Sequence, residues 1–99
     1  MKPAIEITYC PRCGWLMRSA WMAQELLTTF AGELGAVTLK PAETAGVFEI
    51  KAGEAVLWSR ARDGGFPDIV ALKRLVRDAV APGKALSHAD RRQDAAPGQ

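Results

Sequence analysis

The sequence predicts an α/β domain in which two helices cover a four-stranded mixed sheet, in the order βαβββα. Three observations carry that reading. A β-branched alternating stretch precedes the two cysteines, a proline-free amphipathic stretch follows them, and two further alternating stretches are separated by a short glycine turn.

Ala4-Ile5-Glu6-Ile7-Thr8-Tyr9 alternates apolar and polar residues, as a strand with one buried face does. From Gly14 to Leu34 there is no proline. A spacing of about 100° per residue puts Leu16, Ala20, Ala23, Leu27, Phe30 and Leu34 on one helical face, with Arg18, Glu25, Thr29 and Gly32 opposite in water. Gly35 is placed to end this helix with a left-handed residue. Ala36 to Lys40 reads as a second strand stopped by Pro41, so the first three elements form a βαβ unit with parallel strands. Gly46 to Lys51 and Glu54 to Arg60, joined by Ala52-Gly53, read as a β-hairpin. Arg62-Asp63-Gly64-Gly65-Phe66-Pro67 reads as a loop. Asp68 is the N-cap of a second helix ending near Val80, with Ile69, Leu72, Val76 and Ala79 inward. With Cys10-Pro11-Arg12-Cys13 on the turn from the first strand to the first helix, this is the minimal thioredoxin-like arrangement. The expected domain spans residues 1–81. Residues 82–99 are expected to be a flexible tail, in which Leu86 and His88 are the candidates for local docking.

Composition narrows the function classes. With 48% hydrophobic and 24% charged residues, the chain belongs with folded globular domains rather than with disordered or fibrous ones. The net charge is +2 and the two signs are interleaved, so there is no basic stripe for a phosphate backbone and nucleic acid is not an expected partner. No apolar run approaches the roughly 18–20 residues that span a bilayer, and Glu6 interrupts the place of a secretion signal. The expectation is a cytoplasmic protein without a membrane partner.

Both cysteines fall in one CxxC, which excludes a long-range disulfide. In a reducing compartment such a pair is commonly redox-active or half of a metal site. A closed zinc site takes about four ligands, and the chain offers only His88 besides the cysteines, so no metal is expected within one chain. Two chains sharing four thiolates remains the metal alternative. Small copper carriers also have CxxC at a strand-to-helix turn, but with a methionine two residues before the first cysteine, where this chain has Thr8.

A thiol attacks as its thiolate, and a helix N-terminus stabilises negative charge. Cys10 is expected just before the first helical turn and Cys13 within it. Arg12 adds a positive charge and Pro11 stiffens the loop, so at least one thiol should have a lowered pKa. The second sulfur can then resolve a mixed disulfide formed on the first. Around this centre, Met17 and Trp21 lie off the expected apolar face. Trp21 can be a docking contact or can cover the sheet edge. Trp15, Phe48 and Trp58 read as packing residues and His88 as a solvated tail residue. Gly64, Gly65 and Phe66 could approach the cysteines, although paired glycines usually only make turns.

Three separated stretches resemble the selenoprotein W-like group of the Rdx family: Tyr9-Cys10-Pro11-Arg12-Cys13-Gly14, Gly46-Val47-Phe48-Glu49-Ile50, and Arg62-Asp63-Gly64-Gly65-Phe66-Pro67-Asp68. The resemblance covers roughly residues 4–81. It implies a thioredoxin-like fold and a thiol-based redox function, linked in the family to glutathione and to protection from oxidants. Selenium-containing members carry selenocysteine at the position matching Cys13 and cysteine at that matching Cys10, so this chain resembles a cysteine homologue. Thioredoxin logic makes Cys10 the attacking residue, whereas the selenium position favours Cys13; both are read as redox-active with their order open. No proline stands at the start of the third strand to face the cysteines, unlike in typical thioredoxins.

The expected function is a thiol–disulfide redox protein using Cys10 and Cys13 on thiol, disulfide or peroxide substrates, with no bound cofactor and glutathione as a candidate co-substrate. The alternative is a protein-binding module that uses its sheet edge, Trp21 and the 62–67 loop, with Pro11, Arg12, Gly64, Gly65 and Phe66 as further contacts. A homodimer through the exposed edge of the hairpin is a further expectation.

Overall fold

The structure is a computed structural model, and it describes residues 1–86. The elements are β1 (Ala4–Tyr9), α1 (Leu16–Thr29), β2 (Ala36–Pro41), β3 (Phe48–Ala52), β4 (Ala55–Ser59), α2 (Arg60–Asp63) and α3 (Ile69–Val80). The sheet order is β2-β1-β3-β4. β1 runs parallel to β2 and antiparallel to β3, and β3 and β4 form the antiparallel hairpin, so the sheet is mixed as expected and the fold is thioredoxin-like.

The pleat of β1 sorts the two faces of the sheet. Ile5, Ile7 and Tyr9 point to the core. The register places Val37 and Leu39 of β2, and Ala52, Ile50 and Phe48 of β3, on the same side. These residues pack under α1 and α3 through Met22, Leu26, Phe30, Val70, Leu72 and Val76. Glu6, Thr8, Thr38, Lys40, Glu49 and Lys51 occupy alternate positions and face the other way, which explains the alternation in the sequence.

α1 departs from expectation in both length and orientation. It starts at Leu16 because Gly14 takes φ 76° inside a turn, and it ends at Thr29 with Phe30 as its C-cap. Its buried residues are Ser19, Met22, Ala23 and Leu26, while Leu16 and Leu27 are exposed. The inward face is thus rotated by roughly 60° from the expected one. Apolar residues cover more than half of this helix, so periodicity alone does not select the buried stripe. Ser19 joins that stripe because its hydroxyl donates to the Trp15 carbonyl at 2.8 Å, which satisfies it in place of water. Glu25, expected in water, instead pairs with Lys73 of α3. Gly35 does not cap the helix. It immediately precedes β2, and a Cβ there would lie 3.2 Å from the Lys2 carbonyl oxygen.

The hairpin turn is Gly53-Glu54, one residue later than expected, because Ala52 and Ala55 pair directly and Gly53 takes φ 60°. A bulge interrupts β3–β4 pairing between Ile50 and Lys51. Pro41 is the last residue of β2 rather than the residue after it, a position open to proline on an edge strand. α3 matches the reading in its bounds, and Asp68 accepts from the Val70 and Ala71 amides at 3.1 and 3.3 Å. Its inward face differs slightly. Val70 and Lys73 are buried, whereas Ala79 is exposed. Beyond α3, Leu86 is 2% exposed and belongs to the core, so packing continues past Pro82. His88 and the rest of the expected tail lie outside the described residues. No helix among the described residues is long and apolar enough to cross a membrane.

Candidate functional site

β1 delivers Cys10 directly from the core of the sheet, and the chain then turns through Pro11-Arg12-Cys13-Gly14 before α1 begins. The Gly14 amide donates to the Pro11 carbonyl at 3.1 Å and the Trp15 amide to the Cys10 carbonyl at 3.4 Å, which closes the turn. Gly14 can follow because its φ of 76° suits a residue without Cβ. Cys10 and Cys13 are joined as a disulfide, with their Cα atoms 5.3 Å apart. Cys13 therefore precedes α1 by three residues rather than lying in its first turn, as the sequence had suggested. The reason is the turn itself, which uses the backbone that a longer helix would have claimed.

The two sulfurs differ in environment. Cys10 is 1% exposed, whereas Pro11, Arg12, Cys13 and Gly14 are all exposed. The disulfide thus has one end in the core and the other in water. An open cavity of about 560 Å³ is lined by Pro3, Glu6, Thr38, Lys51 and Val80, and neither cysteine lines it.

The 60–67 segment is brought to the same end of the molecule, and α2 explains how. Ser59 Oγ accepts from the Arg62 amide at 3.3 Å and Asp63 Oδ2 accepts from the Ser59 amide at 3.0 Å, a reciprocal cap that the sequence reading missed in Ser59-Arg60-Ala61-Arg62-Asp63. Arg62 donates twice to Asp63, at 2.9 and 2.8 Å, and also to the Val56 and Leu57 carbonyls of β4. The Arg62–Asp63 hydrogen bonds raise the Arg62 pKa further and, with the Ser59 amide, hold the Asp63 carboxyl below the usual carboxylate range. Gly64 and Gly65 then reverse the chain with φ 81° and 67°, and Trp58 Nε1 donates to the Gly65 carbonyl at 3.0 Å.

The outcome is the placement of Phe66. Its ring lies edge-on to Trp15 at 4.9 Å and to Phe48 at 4.8 Å between centroids. Trp15 follows Cys13 by two residues, and Phe48 pairs with Tyr9, the residue before Cys10. Phe66 therefore packs against both flanks of the cysteine turn. Gly64 and Gly65 act through backbone shape and one carbonyl. Trp21 is 47% exposed on the second turn of α1, and Met17 is 83% exposed.

Two further residues join the assembly. The Arg18 guanidinium lies 4.0 Å over the Phe66 ring and that of Arg60 lies 5.0 Å from the Trp15 ring. Sequence reasoning placed Arg18 on the solvent face of α1 and Arg60 at the end of a strand. Neither position announces an aromatic partner that arrives from another element.

Comparison with known proteins agrees with this geometry. The Rdx family model matches residues 4–78. A crystal structure of a Bordetella parapertussis protein superposes with a TM-score of 0.77 at 54% identity, covering 80% of this chain and 99% of that one. The crystal structure of a selenoprotein W-related protein from Vibrio cholerae superposes with a TM-score of 0.76 at 48% identity, covering 80% and 98%. No curated protein sequence matches the chain. A CxxC disulfide at the β1–α1 turn of a thioredoxin-like sheet, in a chain matched over nearly all of its described residues, makes this protein a member of the Rdx family, of the selenoprotein W-like kind.

Proposed function

We propose that the protein is a cytoplasmic thiol–disulfide redox protein that cycles Cys10 and Cys13 between disulfide and dithiol in cell redox homeostasis, with glutathione as the candidate reductant. The observation that carries this reading is the unequal exposure of the two sulfurs. An incoming thiolate reaches Cys13 and cannot reach Cys10 without opening the core. That difference supports an order which the sequence leaves open: Cys13 exchanges with substrate and Cys10 resolves.

The chemistry balances without any further component. A thiolate RS⁻ attacks Cys13 Sγ, a new S–S bond forms, the Cys10–Cys13 bond breaks, and its electron pair passes to Cys10 Sγ, which takes a proton from water. A second RS⁻ attacks the R sulfur of that mixed disulfide, releasing RSSR and leaving Cys13 as the thiolate. The protein gains two electrons and the two thiols lose them. In the opposite direction the Cys13 thiolate attacks a substrate disulfide and Cys10 closes the ring. Phe66, packed on Trp15 and Phe48, holds the turn in place through this cycle.

The test is the reduction potential of the pair, read by mass-shift alkylation across glutathione redox buffers. A two-electron transition near roughly −180 to −280 mV supports the cycle, since dithiol exchange proteins fall in that range. An intramolecular disulfide that forms at no poise overturns it, and the Cys10→Ser, Cys13→Ser double variant is the blank.

One observation favours a second reading, a binding module whose cysteines only modulate contact. Leu16, Met17, Trp21 and Leu27 leave large apolar side chains of α1 in water. That reading requires partner capture which survives loss of both thiols and fails in Trp21→Ala.

A further inference from the structure

Two exposed features lie on the same side of the molecule. The first is the outer edge of β2. The Ala42 amide donates to the Tyr9 carbonyl at 2.7 Å, and Tyr9 is the register partner of Pro41. Along a strand the N–H and C=O of one residue point the same way, and the direction alternates from residue to residue. Thr38 and Lys40 therefore turn their peptide groups toward β1, while Val37 and Leu39 turn theirs out of the sheet. Among the described residues no side chain takes those groups, whereas on the opposite edge Arg62 donates to the Val56 and Leu57 carbonyls. The free stretch is bounded at both ends: the Gly35 amide donates to the Pro3 carbonyl at 2.8 Å, and Pro41 has no amide N–H. The second feature is one flank of α1. The helix packs over β1 and β2, while Glu25 and Arg18 turn toward Lys73 of α3 and Phe66. At about 100° per residue, Leu16, Ala20 and Leu27 fall on the flank away from α3, above the β2 edge. Leu16 and Leu27 are 49% and 44% exposed, and the only charged residues of α1 are Arg18 and Glu25 on the other flank.

Outward peptide groups beneath an uncharged apolar flank suit an occupant that offers the same two features, a second copy of this chain. We propose that two copies join antiparallel along β2 about a two-fold axis at Thr38, so that one sheet runs through both molecules and Leu16, Ala20 and Leu27 of the two α1 helices cover the join. The bounded stretch dictates that centre, because Thr38 is the midpoint of residues 36–40. Val37 then faces the partner's Leu39, and the two exchange both N–H···O bonds. Symmetry repeats the exchange, so every outward peptide group of residues 37 and 39 is paired. Lys40 faces the partner's Ala36, which opposes no like charges, and Thr38 meets its own copy as a Thr–Thr pair. The neighbouring registers are poorer. A centre at Leu39 sets Val37 against a proline without an N–H, and a centre at Val37 calls on Gly35, whose amide is already engaged. This surface is distinct from the hairpin edge expected from the sequence, and the association does not depend on thiol exchange at Cys13.

Sedimentation velocity of the full-length chain, loaded from about 10 μM to 1 mM, reads the association, since a short strand edge belongs with the smaller and weaker interfaces. The wild type is expected to pass reversibly from monomer to dimer across that range. Thr38→Lys sets like charges against each other at the two-fold axis, and Leu27→Lys places a charge between the two helices. Each should raise the dimer Kd by about fivefold or more at low salt. Both side chains are exposed in the single chain, so the circular dichroism and Tm of dilute protein should stay close to wild type. Thr28→Lys adds the same charge on the outward face of α1, away from the join, and should leave Kd within about twofold. The register is read separately. Thr38→Cys in a Cys10→Ser, Cys13→Ser background should oxidise to a covalent dimer, because facing residues of this kind have Cα atoms about 4.5 Å apart, within the span of a disulfide. A chain that stays monomeric throughout overturns the proposal. So does a dimer that keeps its Kd in Thr38→Lys or Leu27→Lys, or that is lost in Thr28→Lys, since the second copy then sits on another face. A dimer that Thr38→Cys fails to trap overturns the pairing at Thr38.

Discussion

Lys73 Nζ lies 2.9 Å from Glu25 Oε1 and thereby ties α3 to α1 above the buried face of the sheet. The lysine side chain is 7% exposed and the glutamate 36%, so the charge on the lysine is the one the core shelters. Removing the carboxylate strips that sheltered ammonium of this partner. Glu25→Ala should cost about 1–3 kcal/mol in urea unfolding, and Lys73→Met, which leaves no sheltered charge behind, should cost less. Equal losses in the two variants would contradict that asymmetry.

Alkylation should separate the two thiols. In the reduced protein a bulky maleimide is expected to label Cys13 at least about tenfold faster than Cys10, because only Cys13 is reached without local opening. Peptide mapping after a short pulse reads the ratio. Preferential labelling of Cys10 would reverse the proposed order of attack.

Phe66 joins the loop to the cysteine turn through two rings. Phe66→Ala should destabilise the fold by about 2–3 kcal/mol and Phe66→Leu by less. The substitution should also speed hydrogen exchange at Gly14 and Trp15. Unchanged protection at those amides would mean that the loop does not brace the turn.

Gly64 adopts φ 81° with ψ 117°, a combination that side chains avoid, and Gly65 adopts φ 67°. No atom crowds either position, so the penalty is conformational. Gly64→Ala should cost about 1–3 kcal/mol and Gly65→Ala about 1 kcal/mol. Thermal unfolding of the two variants ranks them directly.

The Arg62–Asp63 pair gives a pH dependence with a defined sign. Asp63 has a lower pKa folded than unfolded, chiefly through the Arg62 hydrogen bonds and then the Ser59 amide. The native state therefore binds fewer protons than the unfolded chain in the acid range. Its contribution is complete above the ordinary carboxylate range and is lost as pH falls through the depressed folded value. Tm measured from about pH 6 down to pH 2.5 should fall less steeply in Asp63→Asn, which lacks this titration. Identical slopes in the two proteins would remove Asp63 from the account.

The elements that the sequence made legible were those dictated by local chemistry. β1 has the bounds that its alternation suggests, and α3 starts where Asp68 can cap it. The face of α1 was not legible, since Leu16 and Leu27 compete with Met22 and Leu26 for the core and only the sheet decides between them. α2 was missed because its cap is reciprocal, a serine and an aspartate four residues apart enclosing a single turn. Within the site, the CxxC and its strand-to-helix setting were readable. The contact of Phe66 with Trp15, and the stacking of Arg18 and Arg60 on these rings, depend on elements far apart in the chain and carry no local signal.

The sheet has two outer strands, and they are not alike. Arg62 occupies two backbone acceptors of β4, while β2 carries no such clamp among the described bonds and ends in Pro41. Strand addition thus has one available border and one guarded border. A second copy joining along β2 would consume that border on both molecules, and the joined sheet would end on each side in a guarded β4.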